Sequence, residues 1–201
     1  MVKTVIFDLG GVYFSDGTKR AVDVISESYG ISKDKVKEVF SGNLGLEYRK
    51  GKIIANDFWS KAKEKWGIAA HSEDLATIWL EGYKPIEGTA KIVDRLRASG
   101  YELIFLSDNV QERIDYLERE YPFINKFRDG VFSHREGTTK FDGPKLYELA
   151  LQKASHPAID CVYIDDKPQL LPPAERLGMK TIQFKSPAQL ESELKRLGLK
   201  F

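Results

Sequence analysis

Five short apolar runs recur along the chain, and most are rich in β-branched or aromatic residues. Each run ends near a Gly, Asp or Ser, and together they cover Val2–Phe7, Glu102–Leu106, Gly130–Ser133, Cys161–Ile164 and Lys180–Phe184. Unbroken apolar runs of this length are typical of strands that are buried on both faces, as in a parallel sheet. The pattern therefore predicts five strands in one buried sheet.

The segments between the later runs have the spacing of amphipathic helices. In residues 89–99, Ile92, Val93 and Leu96 lie on one face, and Gly100 follows as a stop signal. Similar patterns cover Gln111–Glu120, Pro144–Lys153, Pro172–Leu177 and Pro187–Leu197. Strands that alternate with helices predict an α/β fold, in which right-handed βαβ units build a doubly wound, Rossmann-like parallel sheet.

Residues 15–84 break this alternation because they contain helical patterns and no convincing strand. The predicted helices are Lys19–Tyr29, Ser32–Phe40, Asn56–Trp66 and His71–Gly82. We therefore predict an α/β core of residues 1–14 and 86–201, interrupted by a helical-bundle cap of residues 15–85. The aromatic residues of the insertion are expected to pack in its interior: Phe40, Tyr48, Phe58, Trp59, Trp66 and Trp79.

Composition and charge narrow the function classes. Hydrophobic residues make up 42% and charged residues 30% of the 201 residues, which is ordinary for a globular protein. A net charge of +1 without a basic cluster argues against nucleic-acid binding, and the apolar start is too short for a membrane span. The single cysteine, Cys161, excludes an intramolecular disulfide and fits the cytoplasm. Since it lies in an apolar run, we expect a buried structural thiol.

Polar side chains follow three of the predicted strands. Asp8 comes after the first, Ser107-Asp108-Asn109 after the second, and Asp165-Asp166 after the fourth. In open α/β sheets, ligands bind outside the carboxyl ends of the strands. Each residue also has an ordinary interpretation, as a turn former for Asp8 or as a helix cap for the second group.

The pair Asp165-Asp166 points to a cation, since adjacent carboxylates repel one another. Mg²⁺ needs few carboxylate ligands and keeps several waters, so it suits a pair of this kind. Lys140 lies in the loop GTTK before a predicted helix, and alone it carries no signal.

Taken together, these groups resemble the four motifs of the haloacid dehalogenase-like hydrolase superfamily, over nearly the whole chain. The matching segments are VIFDLGGV, FLSDN, GTTKFDGPKLYELAL and VYIDDKPQLLPPAERLGMKTIQF, in that order. The helical insertion lies where this superfamily places its cap. The cap segment EYRKGKI favours the branch of bacterial glucose-1-phosphate phosphatases and of the N-terminal phosphatase domain of soluble epoxide hydrolase.

This resemblance implies a magnesium-dependent phosphatase that acts on a small phosphorylated metabolite, such as a sugar phosphate. Asp8 would attack phosphorus and form an aspartyl-phosphate, with Lys140 neutralising the developing charge. Ser107 and Asp108, with Gly10 and Lys140, would surround the phosphate. Asp8, Asp166 and the Gly10 carbonyl would ligate Mg²⁺, and Asp165 would act through a water or as a further ligand.

The chain departs from the family pattern at several positions. Gly10 replaces the second Asp that serves many of these phosphatases as general acid and base, and Asp108 replaces a common Asn. Phe141 stands for a proline, Gly143 is inserted, and Leu170 replaces a common Asn. Loss of a general acid typically costs about 10²- to 10⁴-fold in rate.

Two other functions stay open, and Gly10 and Asp108 favour the first of them. The chain could be a phosphate-binding or regulatory protein that has lost turnover, or a metal-independent 2-haloacid dehalogenase on the same fold. In a working phosphatase, Asp108 could supply the missing acid, or it could only cap the helix that follows. We expect a small phosphate ester as the partner, with no nucleic acid and no membrane, and no sequence feature points to an oligomeric state.

Overall fold

A computed structural model describes all 201 residues and contains one sheet of five parallel strands. The strands are β1 (Thr4–Phe7), β2 (Glu102–Ser107), β3 (Asp129–Phe132), β4 (Cys161–Asp165) and β5 (Lys180–Gln183). Their spatial order is β3-β2-β1-β4-β5, so β1 lies in the centre. Phe7 of β1 is in register with Phe105 of β2 and Ile164 of β4. The predicted parallel sheet is confirmed.

Helices cover both faces of the sheet, which explains why its strands are apolar on both sides. One face packs against α9 (Lys145–Lys153) and α10 (Pro172–Arg176). The other packs against α6 (Glu87–Ala98), α7 (Gln111–Glu120) and α11 (Pro187–Arg196), and the short α8 (Ser133–Glu136) follows β3. The doubly wound prediction is therefore confirmed, and Cys161 is fully buried, as expected.

Five helices, and no strand, lie between β1 and α6. They are α1 (Gly17–Tyr29), α2 (Lys33–Ser41), α3 (Asn43–Arg49), α4 (Ala55–Trp66) and α5 (Ser72–Leu80). The six aromatic residues that were predicted to pack inside the insertion are all buried. Their cluster is continuous with the α6–α7–α11 face of the sheet. That residues 15–85 form a separate cap domain stays a prediction.

The insertion leaves and rejoins the sheet through two neighbouring segments of chain. Ser15 N–H donates to the Lys84 carbonyl at 2.8 Å, and Ile86 N–H donates to the Tyr13 carbonyl at the same distance. Ser15 Oγ adds a hydrogen bond to the Gly82 carbonyl. We call residues 13–15 with 82–86 the two-stranded junction. No helix of the chain has the length and apolar character that a membrane crossing requires.

Candidate active site

Asp8 lies at the carboxyl end of the central strand and is almost fully buried. Its N–H donates to the Ile164 carbonyl at 2.9 Å, which extends the pairing of β1 with β4 by one residue. The chain then turns sharply, because the Leu9 carbonyl accepts hydrogen bonds from the N–H groups of Tyr13 and Phe14. The turn therefore holds the Asp8 carboxylate at the edge of the sheet where ligands bind in α/β folds.

The two glycines of this turn have different surroundings. Gly11 has a φ of +88°, and a Cβ there would lie 2.7 Å from the Cγ of Asp166. A Cβ at Gly10 would meet no atom within 4 Å. The close approach of Asp166 therefore requires Gly11. Open space surrounds Gly10, the position where this chain lacks the general acid that the resemblance would lead one to expect.

Lys140 joins the carboxylates of two strands. Its Nζ donates to Asp8 Oδ1 at 2.8 Å and to Asp165 Oδ2 at 2.6 Å, and it lies 3.2 Å from the hydroxyl of Tyr163. The lysine is buried because a one-turn helix, Lys140–Asp142, begins there with a reciprocal cap between Thr139 and Asp142. The sequence interpretation placed Lys140 beside Asp8, and the structure brings the two together.

Asp165 is fully buried, and both of its carboxylate oxygens have protein partners. Oδ2 accepts from Lys140 and from the Tyr163 hydroxyl, and Oδ1 accepts from the N–H of Lys167 at 2.9 Å. Burial acts to raise the pKa of Asp165, but the Lys140 charge and these hydrogen bonds outweigh it and lower that pKa. Asp165 therefore holds Lys140 in place, and its Oδ1, which accepts only the Lys167 N–H, keeps a lone pair that could ligate a metal.

The carboxylates of Asp8, Asp165 and Asp166 approach one another closely. Each offers an oxygen, and these oxygens all lie within 4.8 Å of one another. Asp166 Oδ1 is buried and has no hydrogen-bond partner. Burial raises the pKa of Asp8 to about 7 against the opposing charge of Lys140, and it also raises the pKa of Asp166. A divalent cation with oxygen ligands fits this cluster, because it would satisfy Asp166 and relieve the repulsion.

The second motif lies beside this cluster at the end of β2. Ser107 is buried, and Asp108 Oδ1 accepts the backbone N–H of Lys140 at 3.0 Å. The other oxygen, Asp108 Oδ2, is buried and unpartnered. Burial raises the pKa of Asp108, although Lys140, Arg49 and Lys167 each act to lower it.

The interpretation of these residues as caps of the following helix is wrong. α7 begins at Gln111, its N-cap position is Val110, and no side chain caps it. Ser107 and Asp108 therefore lie too far before the N-cap position to bond the first free N–H groups of the helix. Asn109 Oδ1 instead accepts from the Val110 N–H at 3.0 Å and from Arg113 Nε.

Two residues near the site escaped the sequence interpretation. Tyr163 is two residues before Asp165 and so shares its side of β4, a signal that strand alternation provides. Arg113 is buried and donates to Asn109, to the Asp108 carbonyl and to the Tyr83 hydroxyl. Its spacing of four residues from Asn109 on the start of a helix is the one signal that the sequence offered for it.

The end of α3 and the residues after it contact the core beside the site. Ser133 Oγ donates to the Arg49 carbonyl at 2.7 Å, and Lys50 pairs with Asp142 at 2.9 Å. A Cβ at Gly51 would lie 2.3 Å from the His134 carbonyl oxygen. We call residues 49–51 the cap tip. It lies against the loops that carry Asn109 and Lys140, so the insertion covers the site from this side.

Comparisons with known proteins agree with the fold. A family model described as haloacid dehalogenase-like hydrolase matches residues 2–178. An uncharacterised protein of Dictyostelium discoideum is 26% identical, with 90% of each chain covered. A structure of a haloacid dehalogenase (HAD) family enzyme of Bacteroides thetaiotaomicron, in complex with magnesium and inorganic phosphate, is similar with a TM-score of 0.79 and 19% identity. The match covers 92% of this chain and 96% of the other.

The fold is also similar to that of an enzyme with different chemistry. The L-2-haloacid dehalogenase of Xanthobacter autotrophicus, with chloropropionic acid covalently bound, matches with a TM-score of 0.65 and 17% identity. That match covers 98% of this chain and 83% of the other. The fold alone therefore does not select between a phosphate ester and a haloacid as the substrate.

Proposed function

Because this chain belongs to the haloacid dehalogenase-like hydrolases, we propose that it hydrolyses small phosphate monoesters with the help of Mg²⁺. The observation that carries the proposal is the juxtaposition at Asp8. Lys140 holds one oxygen of this buried carboxylate at 2.8 Å, and the unpartnered Asp166 Oδ1 belongs to the same cluster of oxygens. A nucleophilic carboxylate, a fixed cation and a free metal-ligating oxygen are the groups that phosphoryl transfer needs.

In this mechanism the Asp8 carboxylate attacks phosphorus, and the ester oxygen leaves on the opposite side. Lys140 stabilises the charge that develops on the transferring phosphoryl group. Asp165 keeps the Lys140 ammonium in position, and Tyr163 supports Asp165. Asp8 and Asp166, with the backbone at Gly10, would hold Mg²⁺, which would supply positive charge to the phosphoryl oxygens when bound. Water then hydrolyses the aspartyl-phosphate and frees Asp8.

A panel of small phosphomonoesters, assayed with and without Mg²⁺, tests the proposal. We expect magnesium-dependent phosphate release that falls on the order of 10⁴-fold in Asp8→Asn, since an amide cannot attack phosphorus. Asp166→Asn should lose the rise in melting temperature that Mg²⁺ gives to the wild type. Asp94→Asn is the matched control, because it makes the same chemical change at an exposed side chain paired with Lys126.

The outcome that contradicts the proposal is residual turnover of Asp8→Asn near the wild-type level. A chain that is stabilised by Mg²⁺ and phosphate but releases none from any ester would instead be a binding or regulatory protein. The dehalogenase alternative rests on the fold similarity alone. It predicts chloride release from 2-chloropropionate in the absence of Mg²⁺, and it leaves the unpartnered oxygen of Asp166 without a role.

A further inference from the structure

We propose that Asp108 is the general acid and base of this site, in place of the carboxylate that is absent at Gly10. The inference rests on the proposed phosphatase function and names the residue that moves its proton. Asp108 would give a proton to the ester oxygen as it leaves, and then take one from the attacking water. Four observations support this role of Asp108.

First, the two oxygens of Asp108 have different surroundings. Oδ1 accepts the backbone N–H of Lys140 at 3.0 Å, which fixes the carboxyl group beside the lysine that contacts Asp8. Oδ2 is buried and has no partner. A buried carboxylate oxygen without a donor is costly, and the cost falls if that oxygen carries a proton or meets a ligand. The free oxygen is therefore the one that would carry the proton.

Second, Asp108 is close to groups of both the core and the cap tip. Its Oδ1 accepts the backbone N–H of Lys140, whose Nζ donates to Asp8. The Arg49 guanidinium of the cap tip is near enough to Asp108 to affect the pKa of its carboxyl group. The acid role requires the leaving oxygen, which in phosphoryl transfer points away from the attacking Asp8, to approach this carboxyl group.

Third, the surroundings of Asp108 favour the protonated form. Lys140 from the one-turn helix, Arg49 from α3 and Lys167 after β4 are the cations near its carboxyl group, and Arg113 of α7 donates to its carbonyl. Burial outweighs these cations and leaves the pKa of Asp108 raised. A phosphate dianion in the site would raise it further, because like charges disfavour ionisation. A general acid at neutral pH needs a raised pKa of this kind.

Fourth, no other side chain occupies the usual position of the acid. Open space surrounds Gly10, and the oxygens of Asp165 are already bonded to Lys140, Tyr163 and the N–H of Lys167. With Asp108 as the acid, the atoms balance. The P–O bond of the ester breaks as the Asp8–phosphorus bond forms, and the Asp108 proton moves to the leaving oxygen to give the alcohol. Water then bonds to phosphorus, returns one proton to Asp108 and releases hydrogen phosphate and Asp8.

The test compares an aryl phosphate, whose leaving group needs no proton, with an alkyl phosphate, whose leaving group does. Asp108→Asn keeps an oxygen that can accept the Lys140 N–H but cannot donate a carboxyl proton. We expect kcat/KM for the alkyl phosphate to fall about 10²- to 10⁴-fold, and for the aryl phosphate less than about tenfold. We expect wild-type turnover of the alkyl phosphate to fall at high pH as Asp108 ionises, and we expect this fall to be absent in the variant.

Two further variants separate acid catalysis from positioning. Asp142→Asn disturbs the reciprocal cap that holds the Lys140 loop, without removing a proposed acid. A positioning effect lowers kcat/KM equally for the two substrates. We expect this result for Asp142→Asn and not for Asp108→Asn. Adding Gly10→Asp to Asp108→Asn should recover alkyl phosphate turnover, because Gly10 has room for a side chain.

The outcomes distinguish this inference from the proposed function. Suppose that the wild type hydrolyses both esters, and that Asp108→Asn lowers kcat/KM equally for both or leaves both unchanged. The acid role is then wrong, and the phosphatase function stands. The inference is supported if the loss is selective for the alkyl phosphate and Gly10→Asp reverses it. A wild-type protein that hydrolyses neither ester would overturn both.

Discussion

Adjacent glycines show how single residues shape this site. At Gly11 the backbone φ is +88°, and any side chain would meet the carboxyl group of Asp166. At Gly10 the φ is not positive and the space is open. Gly11 therefore permits a close contact between the loops that follow β1 and β4, whereas Gly10 provides no side chain that could act as an acid or base. The sequence shows both as glycine and cannot separate these roles.

Alanine substitution should therefore affect the two glycines differently. We expect Gly11→Ala to lower the free energy of unfolding by about 2 kcal/mol or more, since a left-handed φ alone costs an alanine about 1–2 kcal/mol. We expect Gly10→Ala to be neutral or to stabilise by up to about 1 kcal/mol, because alanine restricts the unfolded chain. Urea unfolding of both variants measures the difference. Equal destabilisation would show that the turn requires glycine at both positions.

At the scale of elements, the apolar runs predicted every strand to within a few residues. Predictions failed where a polar or flexible residue could belong to either of two elements. Ser133 was assigned to β3 but begins α8, where its Oγ contacts the cap tip. α3 was not predicted, because it is short and contains Gly45, whose missing Cβ lets the Phe40 carbonyl approach.

Several helix starts lie one or two residues from the predicted position. α4, for example, begins at Ala55, one residue before the predicted start, and no side chain caps it. The site could be predicted from the sequence, because its residues follow parallel strands and the carboxyl ends of those strands lie at one edge of the sheet. Partners that depend on side-chain direction, such as Lys167 N–H for Asp165 or Lys140 N–H for Asp108, could not be located in this way.

The opposite edge of the sheet supplies a test of how strands are held together. Glu102, at the start of β2, accepts hydrogen bonds from Thr4 of β1 and from Ser155 N–H, and it pairs with Arg128 at 2.8 Å. Burial acts to raise the pKa of Glu102, but these partners outweigh it and lower that pKa to about 2. The folded-state pKa is therefore below the unfolded value of about 4.3.

A lowered pKa contributes stability above the unfolded value, and that stability is lost as the pH falls. We expect the wild type to lose about 1–3 kcal/mol between roughly pH 5 and pH 2 through Glu102 alone, after allowance for solvent screening. In Glu102→Gln this part of the pH dependence should be absent. Urea unfolding at several pH values measures it, and parallel curves for the two proteins would contradict the assignment.

At the scale of the whole molecule, the helical insertion contacts the core at several places, two of which lie at its ends and beside the site. One is the two-stranded junction, and the other is the cap tip with its Lys50–Asp142 pair. Between them, Glu112 of α7 accepts the Tyr48 hydroxyl at 2.6 Å and the Trp59 indole N–H at 3.1 Å. One core carboxylate thus bonds to both α3 and α4.

Removing this carboxylate should loosen the insertion and leave the sheet intact. Glu112→Ala leaves the Tyr48 hydroxyl and the Trp59 N–H without a partner, at a cost of about 2–4 kcal/mol. Amide hydrogen exchange should rise in α3 and α4 and stay unchanged in β1 and β4. Asp115→Ala is the matched control, because this exposed carboxylate on the same helix contacts only Gln111. Equal protection of all elements in Glu112→Ala would mean that the insertion and the sheet unfold as one unit.

The two-stranded junction also has a consequence for chain entropy and for how the protein can change over generations. Because the N–H of Ser15 donates to the carbonyl of Lys84, the two ends of the insertion are adjacent, and the insertion is a closed loop with respect to the sheet. The entropy of closing a loop grows only slowly with its length, by about 0.6 kcal/mol for each doubling. Insertions of quite different length and sequence could therefore be exchanged at this point at little cost to the sheet. Selection could then vary which substrate enters while the groups around Asp8 stay fixed.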